Sequence, residues 1–262
     1  MDATPTVTLT PRALIDRLRQ EVAGVDHIIL SGSCSRGTAL PSNHDIDLLL
    51  ALDGRTHCSA HRHSPSSCLN ALSASVQRAF PESVAPRIQN RSVRLQSRAA
   101  GQCFDLVPAV RHSRLPYVYL IPDRRRDEWI LTCPEYHRRI SQDINRRTGY
   151  LFNPIVRLVK SWNYAYGKLL SSFHLEALAY RVFAGPRDQH HGLSLVLRGL
   201  ADAVMEVCPD PAGIGPAIDE NVDEARRRGA QKALLMALDK ARDVAAPGEK
   251  SRREPHRQPR SE

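Results

Sequence analysis

Aromatic side chains are scarce in these 262 residues: 2 Trp, 5 Phe and 7 Tyr, about 5% of the chain. Proteins that track single-stranded nucleic acid stack successive bases on aromatic rings. Most of the few Phe and Trp residues here fall inside the apolar patterns of helices and strands, so no stacking platform is expected. Cysteine is also sparse. Cys34, Cys58, Cys68, Cys103, Cys133 and Cys208 are scattered without a C-x-x-C pair, which argues against a disulfide framework and for free, packing thiols. No apolar run approaches the roughly 18 residues that a membrane-crossing helix requires. The opening MDATPTVTLT has neither a basic start nor an apolar stretch, so no secretory signal is expected and the predicted compartment is the cytoplasm, with no membrane partner. With 42% hydrophobic and 25% charged residues, the composition is that of a globular protein able to bury a core.

Acidic charge is locally depleted. The net charge is +9. Between Ala85 and Lys160 there are 15 Arg and Lys against 6 Asp and Glu, a surplus of 9 that equals the whole. Such a stretch suits polyanions, whether nucleic acid or triphosphates; the other reading is a solvated face.

The pattern along the chain divides in two. Thr10-Pro11 opens a helix with Leu14, Ile15, Leu18 and Val22 on one face. His27–Leu30 and Asp45–Leu52 read as buried strands, and Ser64-Pro65 starts a helix carrying Leu69, Leu72, Val76 and Phe80. Strands are then expected at Ser92–Gln96, Cys103–Val110 and Tyr117–Ile121. Beyond about residue 132 the pattern is helical. Helices are expected from Asn153-Pro154, after Ser172, around Leu193–Val204, and from a cap at Asp219 to Pro247-Gly248. The segment from Glu249 is rich in Arg, Glu and Pro without an apolar face, and disorder is expected there. There are no internal repeats. The predicted fold class is α+β, with a mixed β-sheet lobe over residues 1–131, a helical lobe over 132–248, a disordered basic tail over 249–262, and a cleft between the lobes.

The chemistry concentrates in Gly32-Ser33-Cys34-Ser35-Arg36-Gly37-Thr38 followed by Asp45-Ile46-Asp47. On a strand, residues two apart share a face, so Asp45 and Asp47 present paired carboxylates. Like charges that close repel unless a cation sits between them, and Mg²⁺ prefers oxygen ligands. A third carboxylate, Asp105, interrupts the apolar run Phe104–Pro108; a lone buried carboxylate is costly without a partner, and it is expected at the same cations. Gly32 lets backbone N–H groups approach phosphate oxygens closely, and Ser33 can add a hydroxyl donor. Three carboxylates fit phosphoryl transfer assisted by two cations. His57, Cys58, His61, His63 and Cys68 cluster after the second strand, but their spacing matches no strong zinc template, and they read as a loop with coincidental histidines. His190-His191 reads as a loop pair.

The segments GSCSRGTALPSNHDIDLLL and FDLVPA resemble the polymerase-β-like nucleotidyltransferase superfamily. With YLIPDRRRDEWILTCPEYH, NPIVRLVKSWN, SSFHLEALA and DPAGIGPAID, the chain more closely resembles the bacterial CD-NTases, relatives of cyclic GMP–AMP synthase and oligoadenylate synthase. The likeness spans nearly everything except the tail. It implies a two-lobed nucleotidyltransferase fold with two Mg²⁺ ions, replaceable by Mn²⁺, on Asp45, Asp47 and Asp105. It implies triphosphate contacts from Gly32 and Ser33, and from Lys160 and Ser172 in the second lobe. Lys160 is a compact cation on a helix, and Ser172 lies at a helix N-terminus that favours anions; taken alone they are a surface lysine and a plain N-cap. The activity implied is the joining of ribonucleoside triphosphates, ATP and others, into a cyclic oligonucleotide second messenger of anti-phage defence, with release of pyrophosphate. A protein regulator and a downstream effector are the partners implied, with no obligatory nucleic acid. The competing readings are nucleotide transfer to an RNA end or a small acceptor, and an inactive nucleotide- or RNA-binding module, against which the intact carboxylate set argues.

Overall fold

The computed structural model describes residues 11–41, 45–53, 63–98, 101–183 and 192–245. The first helix, α1 (Pro11–Glu21), buries Leu14 and Leu18, as their spacing predicts. It leads into β1 (Val25–Leu30), then a single turn of helix, α2 (Gly32–Arg36), and β2 (Ile46–Leu52). The Gly32-Ser33 segment is therefore the opening of a short helix rather than an open loop. In α3 (Pro65–Ala79), Ser64 caps the N-terminus by accepting from the Ser67 amide at 3.2 Å, with Pro65 in the first turn. The strands β3 (Val84–Ile88), β4 (Val93–Gln96), β5 (Cys103–Arg111), β6 (Tyr119–Asp123) and β7 (Glu128–Thr132) follow.

Among the described residues these strands make one seven-stranded sheet ordered β1-β2-β5-β4-β3, with β6 added to β5 and β7 to β6. Only β2 and β5 run parallel, in register from Ile46 beside Phe104 to Leu52 beside Val110. The run Leu48–Leu52 is apolar at every position because β2 is covered on both faces. Leu48, Leu50 and Leu52 pack with α1 and α3, whereas Leu49 and Ala51 pack with Ala109, Tyr119, Ile121 and Ile130 on the other face. By the same alternation Asp47 shares the face of Leu49, and Asp105 that of Val107.

The helical part comprises α4 (Pro134–Arg147), α5 (Phe152–Ala165), α6 (Ser172–Phe183), α7 (Leu193–Ala203) and α8 (Glu224–Ala245). It has its own core, which includes Phe152, Val156, Leu175, Leu178, Phe183, Leu197, Leu200 and Leu234. The mixed sheet with segregated helices is the α+β arrangement expected.

Several expectations need correction. The final helix begins at Glu224, five residues after Asp219. Its start is bound by Asp223, whose Oδ1 accepts from the Arg226 amide at 2.7 Å. Asp219 is instead buried and accepts from the Cys208 amide at 3.0 Å and from Arg227. Cys68 is disulfide-bonded, contrary to the reading of all six cysteines as free thiols; the absence of a C-x-x-C pair speaks only against that one spacing. Cys34, Cys103, Cys133 and Cys208 are free. His57, Cys58, His61, His190, His191 and the segment from Glu249 lie outside the described residues. His63 uses its carbonyl to accept from the Trp129 indole at 3.0 Å. No helix among the described residues is long and apolar enough to cross a membrane.

Candidate active site

The parallel register sets Asp47 beside Asp105 on neighbouring strands, and Asp45 immediately precedes β2. The sheet thus brings all three predicted carboxylates to one end of one face. Burial pushes the Asp47 carboxyl up to about 6, and the neighbouring carboxylates of Asp105 and Asp45 push the same way, against Arg36 and Arg94. Burial and like charge thus both disfavour the ionised form of Asp47.

Gly32 is fixed by the same carboxylate. Its φ of +60° lies in the left-handed region, and a Cβ built on it would stand 1.7 Å from Asp47 Oδ2. Only glycine lets the turn and the carboxylate approach so closely. The Ser31 amide donates to the Asp47 carbonyl at 2.8 Å, tying the start of α2 to β2. Ser33 is half-buried on this turn, and its carbonyl accepts from the Thr38 amide at 3.0 Å.

The helical part grips the end of the turn. Arg157 donates to the Gly37 carbonyl at 2.7 Å, and Ser141 donates to the Arg36 carbonyl at 3.4 Å. Lys160 does not stand open to solvent as a surface lysine: it is 4% exposed. Its ammonium donates to Glu176 Oε1 at 2.6 Å, the Thr38 carbonyl at 3.0 Å and Thr38 Oγ1 at 3.5 Å. Arg36 grips the same carboxylate through Nε to Oε2 at 2.7 Å and Nη2 to Oε1 at 3.2 Å. Burial alone would raise the Glu176 carboxyl, but Arg36 and Lys160 outweigh it and hold it below the usual carboxylate range. Lys160 therefore lies beneath the Gly32–Thr38 turn, with its three donors already directed at protein acceptors.

Ser172 is the exposed first residue of α6, and the cap is its neighbour: Ser171 Oγ accepts from the His174 amide at 3.1 Å. The Ser172 hydroxyl is thereby not the N-cap acceptor. Ser171 and Phe173 line a cavity of about 390 Å³ together with Gln89, Arg91, His137 and Asp210. Gln89 connects that cavity to the carboxylates by donating to Asp105 Oδ1 at 3.2 Å. His137 pairs with Asp210 at 2.8 Å, and Asp210 also accepts from the Gly215 amide at 2.9 Å, which fixes the late DPAGIG loop as the far wall.

Arg36, Gln89, Arg94 and Glu176 were not among the expected site residues. Arg94 lies opposite Asp105 on β4. It donates from Nε to Asp105 Oδ1 and from Nη2 to Asp105 Oδ2, both at 2.9 Å, and from Nη2 to Asp45. As they stand, no three acidic, histidine or cysteine side chains among the described residues converge as a metal-holding group. The donor set nevertheless suits a hard cation: carboxylate oxygens only, with Asp47 raised by burial and by its acidic neighbours, and Asp105 held by positive charge from Arg94.

A mixed sheet carrying three carboxylates at one end, with a glycine turn against them and a helical lobe behind, defines the nucleotidyltransferase fold. The chain belongs to the family of the Second Messenger Oligonucleotide or Dinucleotide Synthetase domain, whose model matches residues 6–145. It is 28% identical over 144 residues to a cyclic AMP-AMP-AMP synthase of Acinetobacter sp. (strain ATCC 27244 / 9458), a match that covers 52% of this chain and 39% of that relative. The chain thus matches well under half the length of that curated relative. Among solved structures it superposes on Escherichia coli MS115-1 CdnC with ATP, with a TM-score of 0.70, 20% identity, and 90% and 85% of the two chains covered. The same protein in a complex with HORMA-deltaN gives 0.69 at 21% identity, covering 90% and 84%. Elizabethkingia meningoseptica CdnE, with GTP and Apcpp, gives 0.63 at 18% identity, covering 86% and 88%. These likenesses bear out the CD-NTase resemblance and the fold.

Proposed function

We propose that this chain is a cation-dependent nucleotidyltransferase that joins ribonucleoside triphosphates, ATP among them, into a cyclic di- or oligonucleotide and releases pyrophosphate. The observation that carries the reading is the packing of Gly32 against Asp47, with Asp105 in register beside it. That contact supports reading the turn as phosphate-accepting and the carboxylate as cation-holding, the two halves of a triphosphate site.

In this reading Asp45, Asp47 and Asp105 hold two Mg²⁺ ions, with Mn²⁺ as a substitute. Bound there, the ions supply Lewis-acid stabilisation of phosphoryl transfer. Gly32 and Ser33 receive the triphosphate through backbone and hydroxyl donors. Ser172 adds its exposed hydroxyl at the start of α6, where the helix end favours an anion. Lys160 adds positive charge from beneath the turn and keeps the turn in place through Thr38. The cavity beside Gln89 takes the rest of the substrate. A role in anti-phage signalling, with a protein regulator upstream and an effector downstream, belongs to the same reading, as does action in the cytoplasm. HORMA-deltaN in the CdnC complex is a regulator candidate by analogy.

The test is pyrophosphate release from ATP and the other ribonucleotides with Mg²⁺, comparing the wild type with Asp45→Asn, Asp47→Asn and Asp105→Asn. The substitutions keep size and remove charge, so each folded variant should lose turnover. Near-wild-type release from folded Asp47→Asn protein overturns the reading.

A further inference from the structure

Arg94 is placed by strand alternation. Val93 and Leu95 are fully buried, so the side chain between them points to the opposite face, that of Asp105. There one guanidinium spans two of the three carboxylates. It forks across both oxygens of Asp105 at 2.9 Å each and also donates to Asp45. Gln89 takes a further position on Asp105 Oδ1. The contact is sheltered, with side-chain exposures of 29% for Arg94 and 12% for Asp105. A two-pronged guanidinium–carboxylate pair is among the stronger hydrogen-bonded contacts a protein makes. A hard divalent cation requires the same lone pairs.

We propose that Arg94 is a positioning residue that competes with divalent cations for Asp45 and Asp105, so that cation entry requires its guanidinium to withdraw. The inference rests on the reading of Asp45, Asp47 and Asp105 as a cation centre. It makes cation affinity low until a triphosphate arrives. The anionic oxygens of that triphosphate offer the withdrawn guanidinium new acceptors, so nucleotide and cation load together. By linkage, each raises the affinity of the other.

The experiment uses the full chain with Mn²⁺ as probe, and free ion is read from its electron paramagnetic resonance signal without nucleotide. Arg94→Met should bind Mn²⁺ about tenfold or more tightly than the wild type, the size of one lost charge-assisted contact. Arg94→Lys keeps the charge but loses the fork, and should fall between. A non-hydrolysable triphosphate should narrow the gap between Arg94→Met and the wild type. Mn²⁺ affinity in folded Arg94→Met equal to or weaker than wild type overturns the proposal. If the Met variant does not fold, the Lys variant decides on the same criterion. Asp47→Asn separates the two levels: Mn²⁺ lost with that change but not tightened in Arg94→Met removes only the role of Arg94. No Mn²⁺ binding in any variant removes the cation centre and the inference together.

Discussion

Glu176→Gln tests how the helical lobe holds the Gly32–Thr38 turn. The wild-type carboxylate has no solvent exposure, and it receives Arg36 at 2.7 and 3.2 Å and Lys160 at 2.6 Å. Arg36 and Lys160 are 8% and 4% exposed. The amide is nearly isosteric, so packing is preserved while two buried cations lose their counter-charge. Lys160 keeps the Thr38 carbonyl; the Arg36 guanidinium loses its carboxylate and keeps its stack over the Phe173 ring, 4.9 Å from the centroid. Breaking a buried ion pair by removing one partner costs about 3–5 kcal/mol. For a chain of this size that corresponds to a fall in melting temperature of roughly 6–20 °C. Thermal and urea melts measure it directly. Glu176→Gln/Lys160→Met, which removes one stranded cation, should recover part of the loss, because the groups act as a unit. A Glu176→Gln protein that melts like the wild type refutes the reasoning, for it would mean that water already solvates the cluster.

Gly32→Ala should move Asp47 or the turn, since the new Cβ has no space beside Oδ2 and φ +60° costs roughly 1–2 kcal/mol for an L-residue; pyrophosphate release should fall far more than the melting temperature does. Asp47 gives a pH signature. Its carboxyl is raised from 3.8 to about 6, so its contribution to stability is full below about pH 4 and is lost as pH rises through about 6. With chelator present, Asp47→Asn should melt with the wild type at low pH and above it at neutral pH, by on the order of 2–3 kcal/mol; a gap that shrinks with rising pH contradicts this. Ser172→Ala should weaken triphosphate binding about fivefold with little effect on melting, whereas Ser171→Ala should lose about 1 kcal/mol of stability as a cap. Isothermal titration and melts of the two variants separate the roles, and the reverse pattern would assign them the other way.

Much of the site was legible because chemistry and periodicity agreed. Asp45 and Asp47 stand two apart at the start of an apolar strand, Asp105 interrupts another, and the parallel register brings Asp47 and Asp105 side by side. The same signal was present in Glu176, an acid between Leu175 and Ala177 on a helix buried on nearly every side, and it was passed over because helices usually carry acids on a wet face. Arg94 was legible only as an alternation in Val93–Gln96; its partner on β5 is a matter of sheet order, which periodicity does not specify. Lys160 sits on the expected helix, but its burial depends on Glu176 reaching it from the next one. Two strands were missed for local reasons. β3 contains Pro86 and is largely exposed, as edge strands with proline are. β7 follows a turn made by the Asp123 side chain, whose Oδ1 accepts from the amides of Arg125 at 3.1 Å and Arg126 at 3.3 Å, a turn that contains no glycine to announce it in the sequence. Part of the basic surplus, read either as a face for polyanions or as a solvated face, is taken up in ion pairs: Arg91 with Asp123, Arg126 with Glu220, and Arg138 and Arg139 with Glu135.

The most direct measurement supplies the purified chain with labelled ATP, GTP, CTP and UTP and Mg²⁺, with and without added RNA, followed by phosphatase treatment. The account predicts labelled product from ribonucleotides alone that survives the phosphatase, since a ring has no terminal phosphate, and that is absent with Asp47→Asn. Label that appears only on the ends of added RNA would contradict it and make the chain an RNA nucleotidyltransferase.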